Sequence, residues 1–177
     1  MITIERPVAG DYNPAFERYV ARVPEADVLA AFAQQAGDVK AALAAIPAAR
    51  EKDRYAPDKW SVRQLVGHVI DAERIMGYRL LSVARGDAAA LPGFDENAYA
   101  EVAGHDATPL PSLLEEFLAL RQSQLLMLSG FTPSAWGREG MANNSRITAR
   151  ALPYIMVGHV RHHLTVLKEQ YGLSAGA

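Results

Sequence analysis

The chain has 177 residues and a formal net charge of −2; half of its residues are hydrophobic and 21% are charged. These values fit one globular domain, residues 1–177, with a sizeable core. No block rich in lysine and arginine indicates nucleic-acid binding, and no apolar run is long enough to span a membrane. The N-terminus also lacks a basic and then apolar secretory signal, so we expect a soluble, cytoplasmic protein.

Cysteine is absent from the sequence. This absence excludes disulfides, zinc–thiolate sites and a cysteine nucleophile. A bound metal ion would therefore need imidazole and oxygen ligands. Any thiol reaction would need a thiol that arrives with a substrate.

The first two predicted helices have clear ends. After Pro24, apolar residues recur at alternating steps of three and four until Pro47, which marks the stop. The second helix begins at Ser61, which forms a capping-box pattern with Gln64, and Gly86 is well placed to end it.

The third and fourth predicted helices lie in the second half of the chain. The third begins near Ser112, which forms another capping-box pattern with Glu115, and it stops at Gly130. The fourth covers about residues 148–171. Pro153 lies within its first two turns and predicts a late start or a mild kink, because proline removes a backbone donor.

Strand signals are nearly absent, with Ile2, Ile4 and residues 141–147 as the weak candidates. Four amphipathic helices predict an all-α four-helix bundle. Two long connections, residues 86–111 and 131–147, separate these helices. Long connections in a compact domain often form lids or binding loops, so we expect them to contribute to a site.

Two of the five histidines occupy unusual positions on the fourth helix. At 100° per residue, His159 and His163 fall inside its apolar stripe, whereas His162 lies on the flank. Buried imidazoles need polar partners, and one metal ion satisfies a nitrogen of two rings spaced i and i+4. The alternative interpretation is a chance i,i+4 pair, which a chain of this length with five histidines contains in roughly one case in ten.

His68 is a third candidate ligand, because it lies at the edge of the apolar stripe of the second helix. Alone, such a residue is more often a boundary histidine than a ligand, but beside the 159/163 pair it would complete a three-histidine site. We expect His105, which stands in a Gly-Asp loop, to be solvated.

Three segments carry a resemblance to a known family: KWSVRQLVGHVIDAER (59–74), RGDAAALPGFDENAY (85–99) and GHVRHHLTVLKEQY (158–171). In this order they resemble the DinB-like superfamily of four-helix metalloproteins. The resemblance covers nearly the whole chain and implies an up-down-down-up bundle with long connecting loops. It also implies His68, His159 and His163 as metal ligands. Gln64 departs from the family pattern, where relatives often carry glutamate.

The resemblance also implies activities. Members include enzymes that transfer or isomerise with bacillithiol, mycothiol or glutathione, although family membership alone does not fix a function. Our leading hypothesis is an S-transferase that activates a low-molecular-weight thiol on the metal. The alternatives are a metal-dependent hydrolase that activates water, and a non-catalytic metal-binding stress-response protein.

Three histidines with an open coordination position are typical of a catalytic site that holds one divalent ion. Zinc or nickel suits these ligands best, and manganese or iron is also compatible. We expect a small-molecule substrate rather than nucleic acid or membrane. A homodimer is an expectation that comes from the family and not from the apolar pattern.

Five further residues are weaker candidates. Asp71 and Glu73 closely follow His68 and are candidates for proton transfer or for orienting an imidazole. The alternative is that they are solvated or paired with arginine. Phe94 and Asn143, in the long connections, are candidates for contacting a second substrate, and Arg150 for anchoring an acidic thiol.

The sequence does not favour Arg150 over Arg79 or Arg161 for such an anchor. For each of these three arginines, a solvated surface position is the default expectation.

Overall fold

The computed structural model describes residues 4–173. Their four long helices are α2 (Val28–Ala44), α3 (Val62–Arg85), α5 (Leu110–Ser129) and α6 (Ala151–Glu169). The shorter elements are the helices α1 (Glu17–Val20) and α4 (Glu96–Val102) and the strands β1 (Glu139–Ala142) and β2 (Ser145–Thr148). Single 3₁₀ turns lie at Pro14–Phe16, Ala48–Arg50, His105–Ala107 and Pro133–Ala135. None of the helices in this part of the chain has the length and apolar character needed to cross a membrane.

The four long helices form the predicted bundle. Helices α5 and α6 each pack against both α2 and α3, so α2 and α3 occupy opposite corners although they follow one another in sequence. Their buried side chains form two clusters that divide α6 at residues 158–159. One cluster includes Val157 and the preceding turns of α6, and the other begins at Val160. His159 therefore lies where the two clusters meet.

The capping predictions have different outcomes. The Ser61–Gln64 capping box at the start of α3 is confirmed, and Gly86 ends that helix with a left-handed φ of 78°. The predicted start of the third helix near Ser112 is wrong, because α5 begins at Leu110 and no capping box forms there. The Leu110 N–H instead donates to the Glu51 carboxylate, 3.1 Å away, an acceptor from a distant segment.

Helix α6 begins at Ala151, so the late start that Pro153 predicts is confirmed. Its predicted start near Thr148 is too early, because Thr148 is the last residue of β2.

The weak strand signal at 141–147 corresponds to an antiparallel hairpin. Strand β1 pairs with β2 from Glu139 opposite Thr148 to Ala142 opposite Ser145. The two turn residues, Asn143 and Asn144, have φ values of 49° and 57°. This is the type I′ geometry that favours two-residue hairpins and that asparagine tolerates. Ile4 is buried but lies outside any strand, and Ile2 lies outside the described residues.

Both long connections contain ordered elements. The first, 86–111, includes α4 and the His105–Ala107 turn, and the second, 131–147, includes much of the hairpin. Leu91 joins them, because its N–H donates to the Met141 carbonyl (2.8 Å) and its carbonyl accepts from Asn143 N–H (2.9 Å). The two connections thus form one continuous wall beside the bundle.

Candidate metal centre

Three imidazoles converge where α3 and α6 pack together. The Nε2 atom of His159 lies 3.1 Å from Nε2 of His68 and 3.1 Å from Nε2 of His163. One nitrogen of each ring belongs to a group whose members all lie within 4.8 Å of one another. The structure thus brings together the three histidines that the sequence singles out.

These distances suit ligands of a single ion. Two nitrogens that each bind zinc at 2.0–2.1 Å lie about 3.3 Å apart in tetrahedral geometry and about 2.9 Å apart at right angles. Hydrogen bonds between the rings explain the two 3.1 Å distances less well, because a neutral imidazole nitrogen has either one proton or one lone pair. His159 Nε2 therefore cannot form a full hydrogen bond to both neighbouring rings at once. A cation between the three nitrogens would satisfy all of them.

The surroundings favour the neutral imidazoles that metal binding requires. Burial lowers the pKa of His68, and the carboxylates of Glu96 and Asp71 oppose this effect in part. Burial also lowers the pKa of His159 and of His163, and the neighbouring imidazoles lower both further. Near neutral pH, all three rings therefore present lone pairs rather than positive charges.

Aromatic side chains hold two of the three rings in place. The ring centroid of Trp60 lies 4.7 Å from that of His68. Tyr19 meets His159 edge-on, with centroids 5.2 Å apart. Tyr19 can come this close because residue 158 is glycine, where an added Cβ would overlap the Tyr19 carbonyl oxygen. Gly158 therefore allows α1 to pack directly against the histidine-bearing part of α6.

His162 does not belong to the convergent group. Its ring lies 5.0 Å from that of His163 and 5.6 Å from that of Tyr19, centroid to centroid. The Nδ1 atom of His163 is buried and has no hydrogen-bond partner among residues 4–173. Metal-bound histidines commonly donate a hydrogen bond from the second nitrogen. Within residues 4–173, this supporting hydrogen bond is missing for His163.

A cavity of about 230 Å³ opens from His68 and His159. One side is a stripe of α3, and the other sides come from α1, the segment before it, the 91–96 connection and the hairpin. Its lining includes Asn13, Arg18, Tyr19, His68, Ala72, Met76, Arg79, Phe94, Glu96, Asn143, Ser145 and His159. The histidine group is therefore accessible to a small molecule.

Phe94 and Asn143, predicted to contact a second substrate, both line this cavity. Asn143 packs onto Gly93 so closely that a Cβ at position 93 would overlap its side-chain oxygen. On the opposite side, Asn13 Nδ2 donates to Ser145 Oγ over 2.8 Å. These contacts fix the hairpin as part of the cavity wall.

Asp71 and Glu73 lie outside this cavity lining. Asp71 Oδ2 lies 3.4 Å from His105 Nε2, and Asp71 also faces Arg74 at 3.7 Å. The Glu73 Oε1 atom pairs with Arg121 Nε at 2.8 Å, and both side chains are buried. Asp71 could thus influence His68 only from a distance, whereas Glu73 belongs to the bundle core.

The expectation that His105 is solvated is wrong. Its side chain is 13% exposed, because it packs over Gly67, where a Cβ would overlap the ring. Its approach to Asp71 adds a polar contact to this packing.

The three arginines considered as anchors have different surroundings. Arg150 pairs with Asp11 and Glu5, at 2.8 Å and 3.2 Å, and does not line the cavity. Arg161 pairs with Glu25 at 2.6 Å. The expected surface position is wrong for Arg79, which is 4% exposed and lines the cavity.

Glu96 is a candidate residue that the sequence interpretation missed. It lines the cavity. Its carboxylate raises the pKa of His68, against the effect of burial, and raises the pKa of Tyr19, in the same direction as burial. A signal was present in the sequence, because Asp95 is a typical N-cap and caps α4 immediately before Glu96. The closeness of Glu96 to His68 depends on how the 86–111 connection folds.

Solved structures of other proteins resemble this fold. YfiT from Bacillus subtilis, described as a probable metal-dependent hydrolase with an unusual four-helix bundle topology, matches with a TM-score of 0.73 at 20% identity. The match covers 83% of this chain and 87% of YfiT. A mycothiol-dependent maleylpyruvate isomerase matches with a TM-score of 0.67 at 13% identity, over 82% of this chain and 61% of the isomerase.

At these identities, the two matches show a shared fold. No curated protein sequence matches the chain. The family model of the DinB superfamily matches residues 31–167, which include α3, α5 and nearly all of α6. The chain therefore belongs to the DinB superfamily.

Proposed function

We propose that this protein is a metal-dependent S-transferase that uses a low-molecular-weight thiol. The observation that carries the proposal is the convergence of three neutral imidazoles, two of which, His68 and His159, line a cavity large enough for a small molecule. His68, His159 and His163 would hold one divalent ion, with zinc or nickel best suited to their nitrogens. The bound ion would favour the anionic form of a coordinated thiol or water at neutral pH.

The side chains around the histidines would position the reactants. Phe94 and Asn143 line the cavity, where an electrophile could lie against an aromatic ring and an amide. Arg18 lies at the exposed rim and donates to the Tyr19 hydroxyl over 2.8 Å. Because ionising a thiol gains only about one to two powers of ten, most of the acceleration must come from holding the two reactants together.

A thiol titration tests this proposal. Cobalt-substituted protein should change its absorption spectrum when bacillithiol, mycothiol or glutathione binds, because sulfur would enter the metal's coordination. The same thiols are then assayed with chlorinated aromatics, epoxides and maleyl-type isomerisation substrates. We expect transfer above the metal-free control that is lost in His159→Ala and kept in His162→Ala. If none of these thiols changes the cobalt spectrum, the proposal fails.

Glu96 favours a second candidate, a metal-dependent hydrolase. The Glu96 carboxylate lies in the lining of the same cavity and raises the pKa of His68, so it could accept a proton from water, as a general base does. The description of YfiT as a probable metal-dependent hydrolase agrees with this alternative. In an ester and amide substrate panel, hydrolysis that falls about 100-fold or more in Glu96→Gln, with metal content unchanged, would support it.

A further inference from the structure

Arg79 is a buried cation in the wall of the cavity, and its hydrogen bonds are only partly satisfied. Its side chain extends from α3, and the residue is 4% exposed. Nη2 donates to the Pro92 carbonyl over 2.8 Å, and Nη1 lies 3.7 Å from the Met76 sulfur. A guanidinium has five N–H donors, so most of its donor capacity remains available to a ligand.

No carboxylate within residues 4–173 forms an ion pair with Arg79 at 4.0 Å or less. Two other shielded arginines differ in this respect: Arg121 pairs with Glu73 at 2.8 Å, and Arg63 pairs with Glu51 at 2.6 Å. Burial lowers the pKa of Arg79, and no neighbouring anion opposes this effect. An unpaired buried charge destabilises the folded protein, and an arriving anion would offset this cost.

The position of Arg79 relative to the histidines defines the shape of a ligand. His68, Ala72, Met76 and Arg79 follow one another at helical spacing, and all four line the cavity. The Cα atoms of His68 and Arg79 lie about 16 Å apart along the helix, and the arginine side chain, directed toward the helix N-terminus, shortens this gap. The surface between them is apolar, because it consists of alanine and methionine.

We infer that Arg79 binds a carboxylate of an extended ligand whose other end reaches the three histidines. The planar guanidinium fork matches a carboxylate with two parallel hydrogen bonds, which a neutral amide cannot reproduce. The ligand class is thus an anionic thiol or substrate with an uncharged chain between its carboxylate and its reactive atom. This inference rests on the proposed function for the end that meets the metal.

The test compares acids with their amides. Zinc-loaded full-length protein is titrated calorimetrically with ω-mercaptoalkanoates, from 3-mercaptopropanoate to 11-mercaptoundecanoate, and with the corresponding ω-mercaptoalkanamides. At the best chain length, we expect the acid to bind about tenfold more tightly than its amide, as for a charge-assisted bidentate contact. Arg79→Met should abolish this preference and leave amide binding within about twofold of the original.

Two further variants separate a ligand contact from a structural role. Arg79→Lys keeps the charge but not the fork and should retain part of the preference. Arg85→Met removes an exposed arginine from the same helix and should retain all of it. Arg79→Met is expected to fold, because it removes a buried unpaired charge, and circular dichroism verifies this.

A metal-free arm distinguishes failure of this inference from failure of the proposed function. Metal-free protein is titrated with octanoate and octanamide, and its unfolding temperature should rise more with the acid, except in Arg79→Met. If the mercaptoalkanamides do not bind zinc-loaded protein, the thiol function fails while this arm still tests Arg79. An equal preference for acids in Arg79→Met, or no preference at any chain length in either arm, would overturn the inference.

Discussion

The Nε2 atom of His159 lies 3.1 Å from the Nε2 atom of His68, although 91 residues separate them in sequence. This pair joins α3 to α6 at the wall of the cavity, and His163 adds a third nitrogen from one turn further along α6. A metal ion bound there would link the two helices.

Removing the metal should lower the unfolding temperature without unfolding the bundle. The two apolar clusters do not depend on an ion, unlike the core of a zinc finger. An ion that binds the folded state preferentially still stabilises it, by about 4 kcal/mol at a concentration 1,000 times its dissociation constant. Thermal unfolding with and without a chelator measures the difference. A random-coil circular dichroism spectrum after chelation would contradict this expectation.

Replacing Arg121 alone should destabilise the bundle strongly. Arg121 is fully buried, pairs with Glu73, and lies with its guanidinium carbon 3.8 Å from the ring centre of Phe32. Arg121→Met leaves the Glu73 carboxylate without a partner, so we expect a loss of about 3–5 kcal/mol in the free energy of unfolding.

The double variant Glu73→Leu/Arg121→Met is the control for this experiment, because it removes both charges and should lose much less. Urea titration measures both values. A double variant as unstable as the single one would show that shape, rather than unpaired charge, is responsible.

Gly158→Ala should disturb the candidate metal centre through α1. A Cβ at this position overlaps the Tyr19 carbonyl oxygen, so α1 must move away, and Tyr19 with it, from His159. We expect destabilisation by about 1–3 kcal/mol and weaker metal binding. Gly37→Ala is the matched control, because a Cβ at this position on α2 overlaps no neighbouring atom. This substitution should stabilise that helix by about 0.5–1 kcal/mol. Unchanged zinc affinity in Gly158→Ala would argue against a supporting role for Tyr19.

Gly93→Ala should alter ligand binding while leaving metal content unchanged. The added methyl group overlaps the Asn143 side-chain oxygen, so the amide of Asn143 must turn or shift within the cavity wall. Phe94 and Asn143 line the cavity but do not belong to the three-histidine group. Thiol affinity should therefore fall while zinc stoichiometry stays the same. Calorimetry and metal analysis of the same sample check both statements.

His159 and His163 could be predicted from sequence because helical periodicity places them one turn apart on an apolar face. His68 joins them through its position at the edge of another apolar stripe and through the family resemblance. Arg79 and Glu96 could not be chosen in this way. Their roles depend on the cavity, whose walls come from segments that are distant in sequence and meet through contacts such as Asn13 with Ser145.

The start of α5 illustrates the same limit. Local pattern favours a cap at Ser112, but Glu51, from the segment between α2 and α3, accepts the Leu110 N–H and fixes an earlier start. Tertiary partners of this kind leave no periodic signal in the sequence.

Metal analysis of the untagged protein tests the central claim most directly. After loading with zinc and removal of excess ion, the original protein should retain about one ion per chain. The His159→Ala/His163→Ala double variant should retain none, and His162→Ala, which removes a neighbouring histidine outside the convergent group, should retain the full amount. Full zinc content and unchanged affinity in the double variant would contradict the assignment of His68, His159 and His163 as the metal site.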